Sequence, residues 1–535
     1  MWDATVGRSA RIEEGAGAGA TRRARSHGEP TPVQDDGMDA VGIRLRIPRR
    51  TVLGAVGGAC AAWIAGGCAL LSRSQRSAAG SLAATPTAAS GKIVLTFQPW
   101  QYAYGFQNLN RSLNDILYQA TASFRQENPS IDLRFYGPQT NPVTSVIAGQ
   151  GPDVPQLQGG GGGISGWITD GLLLDLTPHI RQSNISLHQF SPGQMADVTT
   201  PEGIFGIPNY TGVSAMAINL STLDALGLSY PNPQWTYLEW AQLARAASSR
   251  VLHGQRVVGT TIATHFGPGP AIPYYHGWGA GLVDPADPTR CRLDSPGAIA
   301  CGEFLYGLVE HGAAQWGPGL VPVSFVQGLT VAPFCWVQTN IIPAATSWTG
   351  FKWDFWPMPL WPAGPAAMTN PNFFAVAAST KYPELAWELL RWLTIEPEWQ
   401  RVLMRTVLLP PGFLPLWGEW IATVRQFAPT LAKKNLEAFA QNLSHSWLFG
   451  GEHFAFESPQ ATAILGNWYG QIATGKVSVK EGLTQAAGQI TRFEAVAAGH
   501  PPAAASYATE HRAYEKYSAR LTRMFEGGSI QGVGG

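Results

Sequence analysis

The chain has 535 residues with 36 Lys plus Arg against 36 Asp plus Glu, so its formal net charge is zero, and charge gives no ground for a nucleic-acid or anionic-membrane partner. Only 13% of residues are charged while 45% are hydrophobic, which excludes a disordered chain and suits a large buried body of two domains. Twenty Trp and 15 Tyr supply aromatic faces of the kind that pack on the C–H surfaces of sugar rings, although the helix-periodic Trp235, Trp240, Trp387, Trp392 and Trp399 read as core.

Residues 1–37, rich in Gly, Ala, Arg and Glu without apolar periodicity, read as an upstream or disordered extension ahead of a second methionine, Met38. Residues 38–67 then read as a signal peptide, with Arg44, Arg46, Arg49 and Arg50 as its basic region and 51–67 as a weakly apolar one. The pair Arg49-Arg50 followed by Thr-Val-Leu resembles a twin-arginine export signal. Ala65-Gly66-Gly67-Cys68 resembles a lipobox with Ala65 where leucine is usual, which makes Cys68 the lipidation candidate. The Ala/Ser/Thr-rich stretch 68–90 is expected to be a flexible tether. With Cys60 and Cys68 assigned to the signal, Cys291 and Cys301 are spaced for a small disulfide loop in an oxidising compartment, and Cys335 is left as a buried thiol. No Cys-x-x-Cys or Cys/His cluster points to a metal, and no cofactor is expected.

In the body of the chain, 92–97 is a β run ending at Gln98-Pro99-Trp100-Gln101, 113–126 has a helical apolar period, and 131–136 is a second strand. This is a β-α-β unit with a parallel pair. Ligands of such sheets lie beyond the carboxyl ends of the strands, which singles out Trp100 and Gln101. The next strand, 154–157, delivers Gln158 and a glycine run beginning at Gly159 to the same edge. Gly161-x-Gly163-x-x-Gly166 formally matches a dinucleotide fingerprint, but consecutive glycines satisfy almost any glycine pattern, and no acidic residue closes a second strand about twenty residues on. The run reads instead as a loop without side chains, whose amides can approach a hydroxyl or carboxylate closely.

Gly206-Ile207-Pro208-Asn209-Tyr210 is a breaker cluster with the character of a hinge, and 213–219 alternates like a buried strand. A short helix over 220–227 closed by Gly227 follows. Thr236 and Glu239 then form a capping box ahead of a helix over 238–247. Further on come an aromatic and glycine-rich stretch at 274–282, a helix over 297–309 and a strand over 372–378. A proline-started helix over 381–393 has apolar positions at 385, 386, 389, 390 and 393.

Several segments carry a resemblance in a fixed order. They are Gly149-Gln150-Gly151-Pro152-Asp153-Val154, Gly171 to Thr177, the Asn219 strand end, Gly227-Leu228, Pro233-Gln234-Trp235-Thr236, Asp294-Ser295-Pro296, Phe325-Val326-Gln327-Gly328, the 353–365 loop, the 381–393 helix and Gly475 to Leu483. Together, over roughly residues 91–495, they resemble the extracellular solute-binding proteins of ABC importers, in the carbohydrate-binding, maltodextrin-type group. The departures are Ile218-Asn219-Leu220 for Tyr-Asn-Lys, Trp336 in a glycine position and Asn372-Phe373 in place of a glycine pair.

The resemblance implies an α/β, two-lobed periplasmic-binding-protein-like fold with interleaved lobes and a hinge-lined cleft. The first lobe would take 91–208 and 330–380, the second 209–329 and 381–500, and 501–535 would be a C-terminal extension and tail. It implies a monomeric substrate-binding lipoprotein, anchored to the outer face of the cell membrane, that catalyses nothing and hands a sugar or oligosaccharide to the transmembrane subunits of an ABC permease. The ligand-binding candidates are Trp100, Gln101, Gln158, Gly159, Asn209, Tyr210, Trp278, Gly279, Trp336, Asn372 and Phe373. An exported carbohydrate-active enzyme is the rival. It needs two carboxylates facing each other across a cleft, for which Asp354, Glu452 and Glu457 stand as candidates, whereas His-Glu-x-x-His and Gly-x-Ser-x-Gly are both missing from the sequence. A structural lipoprotein without ligand stays open as a third reading, and amino-acid-like, polyol or phosphodiester ligands stay open beside sugars.

Overall fold

The computed structural model describes residues 91–99, 113–136, 143–158, 164–196, 198–199, 202–264, 268–284, 287–317, 320–448 and 459–499. The extension, signal, Cys68, tether and tail expected above lie outside these residues, as do Trp100, Gln101 and the run from Gly159 to Gly163.

Strand β1 (Ile93–Gln98) is followed by helices α1 (Leu113–Ala120) and α2 (Ala122–Glu127), then by β2 (Ile131–Phe135) and β3 (Val154–Gln158). The expected single helix is interrupted at Thr121, whose hydroxyl donates back to the Leu117 carbonyl at 2.8 Å, a local bond that competes with regular helix. β1 lies parallel to both β2 and β3, with Phe97 opposite Phe135 and Val154. Asp153 holds this unit together: its carboxylate accepts from the Thr96 amide at 2.8 Å, the Thr96 hydroxyl at 2.7 Å and the Thr380 hydroxyl at 2.6 Å.

β4 (Ile207–Asn219) runs straight into α3 (Leu220–Leu226) and is followed by α4 (Tyr237–Ser248). Next come β5 (Val258–Ala263), α5 (Pro273–Gly277), α6 (Pro296–Glu310), β6 (Ala314–Gly317), β7 (Thr330–Ala332), β8 (Phe334–Trp336), α7 (Val337–Thr346), β9 (Trp353–Trp356) and β10 (Ala367–Phe374). The chain ends its described part with α8 (Pro383–Thr394), α9 (Pro397–Val407), β11 (Ser446–Leu448) and α10 (Val479–Gly499), among other helices. The larger sheet has the order β8-β4-β10-β3-β1-β2, with β9 also on β4 and β11 on β10; a smaller parallel sheet has the order β6-β5-β7. The result is a two-lobed α/β fold.

The caps follow the sequence. Asn219 accepts from the Thr222 amide, and Gly227 closes α3 at φ 65°. Thr236 and Glu239 bond each other's backbone amides at the head of α4. The breaker cluster does not interrupt the chain as expected, because β4 is one buried strand of 13 residues that begins at Ile207. Its register against β10 pairs Asn372 with Tyr210 and Phe373 with Pro208, so Asn209 is the extra residue of a bulge. A bulge is where an interior strand tolerates a proline that cannot donate to the ladder.

The apolar interior divides into three clusters. Leu95, Val154, Ile207, Tyr210 and Phe373 pack with Leu389, Leu390, Trp399 and Leu403. Met216, Ile218, Trp240, Ile262 and Leu305 pack with Leu465, Tyr469 and Leu483. Val213, Ala215 and Ala217 pack with Phe325, Ile341, Phe355, Trp420 and Phe439. Past residue 381, Ala386, Leu390, Leu403 and Leu409 pack in the first of these clusters. The apolar stripe of α8, with α9 behind it, covers the first-lobe strands β3, β4 and β10, and it is 461–490 that returns to the second core. The five helix-periodic tryptophans are all buried. Cys291, Cys301 and Cys335 are buried and not disulfide-bonded, so the expected loop between Cys291 and Cys301 is not closed. Cys301 lies within α6 and packs into the second core instead.

Candidate functional site

The sheet register lines up three residues from three strands: Gln158 of β3 lies opposite Asn372 of β10, which lies opposite Tyr210 of β4. Laterally paired residues share a face, so these side chains form one row. Asn372 is 2% exposed and its Oδ1 is buried without a hydrogen-bond partner, an arrangement that leaves an acceptor for an incoming hydroxyl or a water. Tyr210 is buried, and its burial pushes the phenol ionisation well up, so it stays a neutral group.

The two faces of β4 go to different places. Val213, Ala215 and Ala217 point into the third cluster, whereas the other face passes from Tyr210 in the first core to Met216 and Ile218 in the second. Gly212 and Ser214 sit on that face between the two cores, which is where a cleft between lobes must have its floor. Asn370, opposite Gly212, is the single residue of β10 that is not buried. Hydroxyls stitch the strands here: Thr211 and Thr369 lie 3.0 Å apart, and Ser214 accepts from the Met368 amide at 2.9 Å. The sequence reading missed Asn370, although the period-2 pair Asn370-x-Asn372 was the available signal.

The remaining candidates are placed elsewhere. Asn209 is fully buried, its Oδ1 accepts from Gln400 Nε2 at 3.1 Å, and its carbonyl accepts from the Gly412 amide at 2.8 Å; it belongs to the bulge and faces α9. Phe373 is in the first core. Trp336 ends β8 opposite Ser214, buried edge-on against Phe334 at 5.3 Å, and so abuts the crossing strand near the junction. Trp278, half-buried after α5, packs its ring against Tyr237, Phe304 and Trp361 at 5.2–5.4 Å, and Gly279 follows it in an exposed turn at φ 67°. Of the carboxylates the rival reading needs, Asp354 accepts from the Phe355 amide at 2.8 Å and the Asn435 amide at 2.7 Å. Burial holds its carboxyl above the usual range. Glu452 and Glu457 lie outside the described residues. The junction itself presents amides and hydroxyls, a donor and acceptor set suited to a neutral polyhydroxyl ligand.

The profile of the bacterial extracellular solute-binding proteins matches residues 122–414, more than half of the chain. The chain belongs to this family. No curated protein sequence matches it. Among solved structures, the sugar-binding protein MalE of Xanthomonas citri is similar at 17% identity and a TM-score of 0.60, over 76% of this chain and 98% of that one. An ABC substrate-binding protein of Listeria monocytogenes in complex with cycloalternan is similar at 15% identity and 0.59, over 76% and 99%. An ABC transporter solute-binding protein of Thermotoga lettingae bound with α-D-tagatose is similar at 17% and 0.57, over 76% and 100%. At these identities the likeness is one of fold. In this solute-binding protein the recurring motifs hold the frame rather than the junction: Asp153 clamps β1 to β3, Asn219 donates to the Phe325 carbonyl, and Thr222 donates to the carbonyl of Gly328, which turns at φ 78°.

Proposed function

We propose that this protein captures a neutral sugar or oligosaccharide between its lobes and passes it unchanged to the permease of an ABC importer. The observation that carries the reading is the uncharged row Gln158–Asn372–Tyr210, with a buried, unpartnered Asn372 oxygen, beside the point where one strand passes from one core to the other. The sugars bound by the Listeria and Thermotoga proteins support the same ligand class. Aromatic faces would stack on the sugar while amides replace lost water, and contact from both lobes would draw an open population toward a closed one. Trp100, Gln101 and Gly159 would complete the first-lobe side.

Calorimetry and thermal shift with cycloalternan, D-tagatose and maltose test this. At least one sugar is expected to bind, to raise the melting temperature and to be recovered chemically intact. Gln158→Ala and Asn372→Ala are expected to weaken that binding by about one to two decades, from about 1–3 kcal/mol per lost buried hydrogen bond. Failure of every sugar to bind would overturn the ligand class. The proposed lipid anchor has its own test: Cys68→Ser should release the protein from the membrane in its native host, and Arg49→Lys with Arg50→Lys should block its export.

A further inference from the structure

Gly212 stands in the middle of a 13-residue buried strand, where glycine weakens the strand and has to be explained. Its backbone does not demand glycine, because it is not among the positive-φ residues. What it supplies is room. A Cβ at position 212 would lie 2.2 Å from each of Cδ, Oε1 and Nε2 of Gln338. Equal distance to all three atoms means that the carboxamide lies flat over the glycine, face-on.

The turn from strand to helix at Trp336 brings it there. β8 runs antiparallel to β4 and ends with Trp336 opposite Ser214; the chain then enters α7, whose second residue, Gln338, lies over Gly212 while its first, Val337, joins Val213 in the third cluster. On the other side of Gly212 stands the half-buried Asn370. Two amides therefore flank a bare stretch of backbone between the two cores. Gln338 Oε1 is buried and has no hydrogen-bond partner, which is costly unless something supplies a donor.

We propose that Gln338 is a ligand-reading residue: lying on Gly212 beside Asn370, its carboxamide oxygen accepts a sugar hydroxyl at the cleft floor, and Gly212 is kept free of a side chain to admit it. This rests on the sugar-binding reading above and adds to it a second hydroxyl-reading position, contributed by the segment that follows β8.

The test uses the whole exported protein and whichever of maltose, D-tagatose or cycloalternan binds the parent. Gln338→Met keeps the length of the side chain and removes the acceptor. It is expected to weaken binding about tenfold, the factor for one lost hydrogen bond, without lowering the melting temperature of the empty protein. Gly212→Ala, which must push the amide aside, should weaken binding at least as much, and adding Gln338→Met to it should produce little further loss, since both act on one contact. Should Gly212→Ala fail to fold, Gln338→Met decides alone. Unchanged affinity in Gln338→Met while Gln158→Ala binds more weakly overturns this assignment and leaves the sugar reading standing. If none of the three sugars binds the parent, both readings fall.

Discussion

Asn219 holds Phe325: its Nδ2 donates to the Phe325 carbonyl at 2.7 Å while its Oδ1 accepts from the Thr222 amide at 2.9 Å. One side chain thus ends the crossing strand, starts α3 and ties down a segment 106 residues away. Asn219→Ala removes a helix cap and strands a buried carbonyl, so it should destabilise the fold by about 2–3 kcal/mol. Asn219→Asp keeps the cap acceptor without the donor and should lose less. Urea unfolding midpoints check this, and equal midpoints for the two variants would show that the cap acceptor contributes nothing.

Trp278 is wedged among three rings, so its removal opens a cavity whatever it does to ligand. Trp278→Ala is expected to lower stability by about 2–4 kcal/mol, toward the lower end of core tryptophan deletions because the ring is half-buried. Trp278→Phe should lose less. A thermal melt of the empty variants settles it, and an unchanged melting temperature for Trp278→Ala would contradict the packing described.

The thiols should be silent in the native state. Burial pushes both Cys301 and Cys335 well above the ordinary thiol range, and a thiol that does not ionise does not alkylate. Peptide mapping after iodoacetamide should find Cys291, Cys301 and Cys335 unlabelled in the folded protein and fully labelled in guanidinium. A peptide linked through Cys291 and Cys301 would overturn the unbridged arrangement.

Acid should weaken the fold through histidine. Burial brings His276 down to about 3 from its ordinary 6.5, and lowers His445 in the same direction. Because the folded state favours the neutral ring, the unfolded chain takes up the proton first. The stability due to the neutral rings is therefore complete above about pH 6.5 and declines as pH falls from there toward about 3. Denaturant midpoints between pH 7.5 and 5 should fall in the parent and fall less in His276→Gln.

What could be read from the sequence was what short stretches of backbone decide for themselves. The Thr236/Glu239 box and the Gly227 stop each concern residues within four positions, and both are present. Gln158 and Asn372 were named as candidates because the expected strands end and begin there, and the register sets the two opposite each other. Pro208 and Asn209 read as a break because each disfavours a strand locally, but β10, Gly412 and Gln400, the last 191 residues from Asn209, build a bulge around them. The strand expected over 372–378 sits earlier, at Ala367–Phe374, since from Ala375 on the chain bonds to the Pro155 and Asp153 carbonyls as an irregular segment. Gln338 carried no signal of its own, and Asn370 only its spacing from Asn372, because what sets them apart is the glycine between them, and only the fold puts it there.

Ile207 and Tyr210 belong to the first core, Met216 and Ile218 to the second, and Val213, Ala215 and Ala217 to the third. β4 is therefore common property, and no cut in the chain leaves each half with an interior of its own. A fragment ending before residue 207 lacks the strand that β10 pairs with, and one beginning after 219 lacks the face on which the second core closes. Removing β4 therefore takes a wall from all three clusters at once.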